Sequence, residues 1–229
     1  MRDSYQRFFS EFQISESRFF EFGLKDIIYI PIHTAKEEWA ILKKKINNNE
    51  EVFIRGFGRD AKGTHLYQEF YKLLLDNKHV KKDSNNNAEP ERQICQLTGC
   101  SKKSSKHKII RNYQISHVFG RTKNVYAFTA PWNLAYVAKV VDPFTGHEAI
   151  GPMVKKFTAL FQQQTYERFS PLIDDFNEII TNQSFLERFD EAFKTMLENS
   201  MFQKEDVEKL RKSIRSEFSP IKLRLDGQG

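Results

Sequence analysis

The sequence has few of the features that staple or anchor a chain. It holds 2 cysteines in 229 residues, too few for a disulfide framework, which points to a reducing, cytoplasmic setting. No apolar run approaches the roughly 20 residues needed to cross a bilayer, so no membrane association is expected. The opening residues, MRDSYQRFF, carry no apolar stretch of signal-peptide type. No segment repeats. The phosphate loop GxxxxGK[ST] is missing, which argues against a nucleotide-triphosphate enzyme of that type. What is plentiful is phenylalanine, at 21 residues, and charge, at 29% with a net +6. Exposed aromatics on that scale would aggregate, so most of the phenylalanines belong to a core. The excess of positive charge has the sign expected of a nucleic-acid partner.

Read in order, the pattern predicts an α+β chain with a mostly helical body. Phenylalanines at helical offsets predict short helices over Ser4–Phe12 and Ser15–Phe22. Ile27–Ile30 reads as a buried strand ended by Pro31. Thr34–Glu37 has the form of a capping box opening a helix through Trp39, Leu42 and Ile46. Glu51–Arg55 is strand-like, and a helix follows from Thr64 to Asp76. Lys78–Arg92 is polar and Asn-rich, and reads as a surface loop or linker. From Pro152 on, the spacing is helical, with a new helix expected at Ser170-Pro171 and a stripe of Phe185, Phe189, Phe193, Met196 and Leu197. Gln203–Phe218 predicts a charged amphipathic helix. Three regions are drawn: 1–92, 93–151 and 152–229.

Chemistry concentrates between Tyr113 and Gly151. An alternating run, Tyr113–His117, ends on a histidine. An aromatic loop from Val118 to Trp132 follows, then Asn133, then a strand-like run, Leu134–Val141. Asp142-Pro143 reads as an N-cap with proline at the first helical position, and His147 comes next. Strand, loop, strand and helix, with His, Asn and His at the junctions, resemble the ββα-metal site of HNH (His-Me finger) endonucleases, above all HNH restriction enzymes. That resemblance implies that His117 is the base that activates water, that Asn133 orients its imidazole, and that His147 on the helix holds a divalent metal, Mg²⁺ or Mn²⁺. Asp142 is a rival ligand and Glu148 a weaker one, because His147 stands 14 residues past Asn133, further than in many members. Ser116 occupies the position where many members carry an Asp or His ligand.

Basic residues surround this stretch. Arg55, Arg59 and Lys62 lie in a glycine-rich segment before a helix, where backbone can approach a phosphate and arginine can reach base edges. Lys102, Lys103, Lys106 and Lys108 form a run without acids, and Arg121 and Lys123 follow His117; all are candidate phosphate contacts. Cys95 and Cys100 read as two unrelated thiols rather than a zinc site, since the paired motifs of one are absent. The resemblance implies a type II restriction enzyme acting on double-stranded DNA. A palindromic site would need a homodimer, with the C-terminal helices as its contact surface. The alternatives are a non-catalytic DNA-binding protein on a degenerate HNH scaffold and an RNA-cutting toxin or defence nuclease.

Overall fold

The computed structural model describes residues 2–56, 64–103, 106–146 and 148–223. It is a mixed α+β chain, mostly helical with small sheets. Helices α1 (Ser4–Glu11) and α2 (Glu16–Lys25) form where the phenylalanine spacing places them. Each is opened by a side chain: the Asp3 carboxylate accepts from the Tyr5 and Gln6 N–H groups, and Ser15 Oγ from Arg18 N–H. Strand β1 (Ile28–Tyr29) stops before Pro31, whose nitrogen has no hydrogen to donate to a ladder. Helix α3 (Ile32–Asn47) starts directly after that proline with no side-chain cap. The expected capping box, Thr34–Glu37, therefore lies inside the helix; proline at the cap fixes the entry first.

The Lys78–Arg92 stretch is not a linker. Strand β2 (Val52–Ile54) crosses over through α4 (Thr64–Leu75) to pair in parallel with β3 (Val80–Lys82). Asp83, fully buried, then accepts from the N–H groups of Asn85, Ala88 and Glu89. It thereby satisfies orphan N–H donors at the start of α5 (Ala88–Thr98). A strand of three residues shows no periodicity, and a buried aspartate looks polar in sequence, so the run read as surface. The boundary drawn at residue 92 falls inside α5, and one buried apolar cluster takes in residues of all three regions.

A short parallel pair follows, β4 (Cys100–Ser101) with β5 (Lys108–Ile109). The main sheet has the order β1–β7–β6. Strand β6 (Tyr113–His117) runs antiparallel to β7 (Leu134–Ala138), with His117 opposite Leu134. Strand β1 covers the other edge of β7, Ile28 opposite Tyr136. All five residues of β7 are buried.

β7 ends three residues short of Val141. Asp142–Thr145 is a single 3-10 turn in which Asp142 is the first residue and Val141 stands at the cap, and the α-helix expected there begins only at Pro152. That helix, α6 (Pro152–Thr181), is continuous through the expected break. Phe169 leaves helical geometry (φ −121°, ψ 18°), two residues before Pro171, so the proline kinks the helix instead of ending it. The 3-10 turn is held by rings: Phe144 meets Tyr5, Phe9, Phe19 and Phe157. Gly23 lets α2 come close to this group, since a β-carbon there would stand 2.9 Å from the Phe157 ring and from Val141.

Helix α7 (Gln183–Glu198) buries Phe185, Phe189, Phe193 and Met196. Its stripe meets Phe70 of α4 and Phe218, which follows α8 (Lys204–Glu217). The stripe is therefore core, not a surface for a second copy. No described helix is long and apolar enough to cross a membrane.

Candidate active site

His117 is the last residue of β6, with 6% of its surface exposed. Its Nε2 lies 3.0 Å from the Phe128 carbonyl oxygen, and its ring stacks on the Phe128 ring at 5.4 Å and 8°. A carbonyl oxygen can only accept, so Nε2 carries the hydrogen and the lone pair of the neutral ring lies on Nδ1.

Asn133 does not bond to the imidazole. It is fully buried and pins the loop: its Oδ1 accepts from Phe119 N–H, and its Nδ2 donates to the Gly120 and Ala127 carbonyls, each at 2.9 Å. The bond to the imidazole expected of Asn133 is therefore not made. Asn133 shapes the loop, and the loop offers Phe128 to His117. The loop itself is not a solvent-facing aromatic segment. Val125–Asn133 is a chain of buried turns, capped in part by Asn124, which accepts from Tyr126 N–H and donates to the Glu217 carbonyl.

The other predicted residues scatter. Asp142 lies half-buried in the 3-10 turn, which packs beside β6. Glu148 is exposed. His147, Arg59 and Lys62 lie outside the described residues. Arg55 is exposed at the end of β2, and its N–H donates to the Thr122 carbonyl in the loop after His117. Lys102 and Lys103 both approach Glu91, at 3.5 and 3.8 Å, so the basic run is not free of acids in space. Lys106 and Lys108 stay exposed.

Arg121 is engaged by the chain's own oxygens. Its guanidinium donates to the Phe119 and Pro220 carbonyls and to the carbonyl and hydroxyl of Ser219. Burial lowers its pKa, with Glu217 acting in the opposite sense. The backbone N–H of Lys123 donates to the Glu217 carboxylate, and its ammonium lies over the Tyr67 ring. Burial raises the Glu217 carboxyl above its usual range, against the Lys123 N–H bond and the charges of Lys123 and Arg121. Both basic residues thus join the loop to the C-terminal segment, whose Ile221 exchanges two hydrogen bonds with Asn177.

Sequence reasoning missed Gln162 of α6, whose Nε2 donates to the Val118 carbonyl one residue past His117. It also missed the Phe128 carbonyl, which has no side-chain signature. For the metal, among the described residues no three His, Cys, Asp or Glu side chains gather. Ser116 Oγ is buried without a partner, and a hydroxyl is a weak ligand. Magnesium, however, takes hard oxygen donors and keeps several waters, so one or two side chains can hold it. Asp142 supplies a donor of that type, whereas His147 would supply an imidazole nitrogen.

No solved structure matches the chain. A protein of Pasteurella multocida (strain Pm70) named "Uncharacterized protein PM1201" is 43% identical over 198 residues, spanning 86% of this chain and 85% of the relative. The family model described as "Uncharacterised protein PM1201" matches residues 30–223. That stretch contains His117, its pinned loop, Asn133 and the C-terminal segment, and the chain belongs to the PM1201 family.

Proposed function

We propose that the chain is a metal-dependent endonuclease that hydrolyses phosphodiester bonds in double-stranded DNA, with His117 as general base. The observation that carries this reading is the fixed ring of His117. Hydrolysis needs a neutral imidazole with one lone pair and a set direction, and the Phe128 carbonyl supports both the tautomer and the direction. Asn133 holds that geometry through the loop. Asp142 and His147 are the residues proposed for Mg²⁺ or Mn²⁺; a divalent ion bound there supplies positive charge to the phosphate and the leaving oxygen. Cytoplasmic restriction of palindromic DNA by a homodimer is the biological form proposed. The buried stripe of α7 means that a second copy would meet another face.

One observation favours the rival reading of a DNA-binding scaffold without catalysis. His117 is nearly covered and Ser116 replaces a ligand, so both could serve only to build the loop. Incubating the purified chain with plasmid and phage DNA, with Mg²⁺, Mn²⁺ or EDTA, separates the two. Discrete fragments support a restriction enzyme, and smearing supports a nuclease without sequence preference. DNA left intact but retarded on a gel supports the scaffold, and cutting of RNA alone supports a defence nuclease. His117→Ala should lower cleavage by about 10²–10⁴-fold while DNA binding persists. Cleavage by that variant at the wild-type rate would remove His117 as the base.

A further inference from the structure

The clefts of the described surface differ in charge. Three of them mix both signs: Glu38 and Glu51 with Lys45 and Arg92 between α3 and α5, Asp190 and Glu198 with Lys194 and Lys204 between α7 and α8, and Asp175 and Glu178 with Lys43 and Arg188 between α3 and α7. Along the N-terminal half of α6 lies a groove of another kind. It comprises two adjoining hollows of about 750 and 300 Å³ that share Gln162 and Leu223. Among the described residues no carboxylate lines either hollow, while Arg121, Lys155 and Lys222 do, and the two lysines are exposed and make no ion pair with a described residue. Asp3 behind Gly151 and Glu148 beside Ala149 are not among the lining residues, and Glu167, one turn along α6, accepts from Gln163 Nε2 at 2.9 Å without lining the groove. Gln162, in the floor, donates to the carbonyl next to His117.

We propose that this groove carries one strand of the nucleic-acid backbone past His117, with Lys155 and Lys222 against its phosphates. The inference deepens the nuclease reading and rests on it for the identity of the ligand. Charge alone selects a polyanion, because phosphates meet cations without a facing acid and release counterions on binding. The polar amides of Gln162 and Gln163 suit sugar and phosphate oxygens and specify no base. Sequence specificity then belongs to residues outside the groove, such as Arg55.

The test is a salt titration by fluorescence anisotropy, using the full chain and a labelled random-sequence duplex, with a labelled single strand as a second probe. Lys155→Gln/Lys222→Gln should reduce the slope of log K against log salt by about 0.9 per lysine on the duplex, or about 0.7 on a single strand. The control pair Lys194→Gln/Lys209→Gln, on α7 and α8 and each 3.5 Å from a carboxylate (Glu191 and Asp206), should keep the wild-type slope. If the groove pair keeps that slope, or the control pair loses as much, the groove is not the track, and the nuclease reading is untouched. If the wild type binds neither probe, the groove proposal falls. If the groove pair loses the slope but the wild type leaves DNA intact with Mg²⁺ and Mn²⁺, the groove stands and catalysis at His117 falls.

Discussion

Asn133 shows how the place of a side chain can be read in a sequence while its partners cannot. Its place before β7 is legible, because an Asn between an aromatic loop and a β-branched run fits the motif. Its partners are not legible, since all three are backbone groups of a loop whose turns have no periodicity. Replacing it with alanine strips a buried N–H and two buried carbonyls of partners. Each such group costs about 1–3 kcal/mol, so Asn133→Ala should lower unfolding stability by roughly 3 kcal/mol or more. Urea unfolding monitored by tryptophan fluorescence measures this; a loss of cleavage with unchanged stability would mean that Asn133 acts on the imidazole after all. Glu217 gives a pH test at the same scale. Burial raises its folded pKa above the ordinary 4.5, so the folded state binds the proton more tightly than the unfolded one. Its stabilisation is complete below the unfolded value and is lost as pH rises through the folded value. Compared with Glu217→Gln, the wild type should lose relative thermal stability as pH rises above the ordinary carboxylate range. A difference that stays constant with pH would show that the carboxylate is solvated.

At the scale of elements, the loop after His117 and the segment after α8 form one unit. Arg121 adopts a left-handed backbone (φ 54°) directly after Gly120, and this turn aims its guanidinium at Ser219 and Pro220. In sequence it is one more cation near the candidate base His117; only the fold shows that the chain's own carbonyls occupy it. Arg121→Ala should cost about 2–4 kcal/mol in stability, from lost charge-assisted bonds, and speed amide exchange over 218–223. It should leave the salt slope of DNA binding unchanged. A slope reduced by about 0.9 would restore Arg121 as a phosphate contact. The helices and strands with regular apolar spacing, α1, α2, α4, α6, α7, α8, β6 and β7, were readable in advance. The short strand β3 and the cap from Asp83 were not, because their signals are a three-residue pairing and a hydrogen-bonded acid.

For the whole molecule, the aromatic content becomes a titration property. Burial pushes the Tyr29 and Tyr126 phenols up to about 12, and raises those of Tyr67, Tyr71 and Tyr136 as well. Unfolded tyrosines ionise near 10. Stability from these groups is therefore complete below that value and lost as pH rises through the folded values. Tyrosinate absorbance should lag behind that of the urea-unfolded chain above about pH 10, then rise together with loss of helical circular dichroism. Superimposable folded and unfolded titrations would contradict the burial described.

The two-residue strand β1 has a consequence in time. β6 and β7 can meet through their own loop, and such pairing is fast, on the order of microseconds for a simple hairpin. The cover on the far edge of β7 comes from Ile28 and Tyr29, and Tyr29 also bonds to Thr165, 136 residues away in sequence. Contacts at that separation form late. Until they form, β7, with the sequence LAYVA, presents a bare apolar edge on which another chain can pair. Refolding yield should therefore fall with protein concentration, and a proline at Ile28 should steepen that fall. Two residues near the start of the matched region thus act as guards against self-association while the sheet that holds His117 is being built.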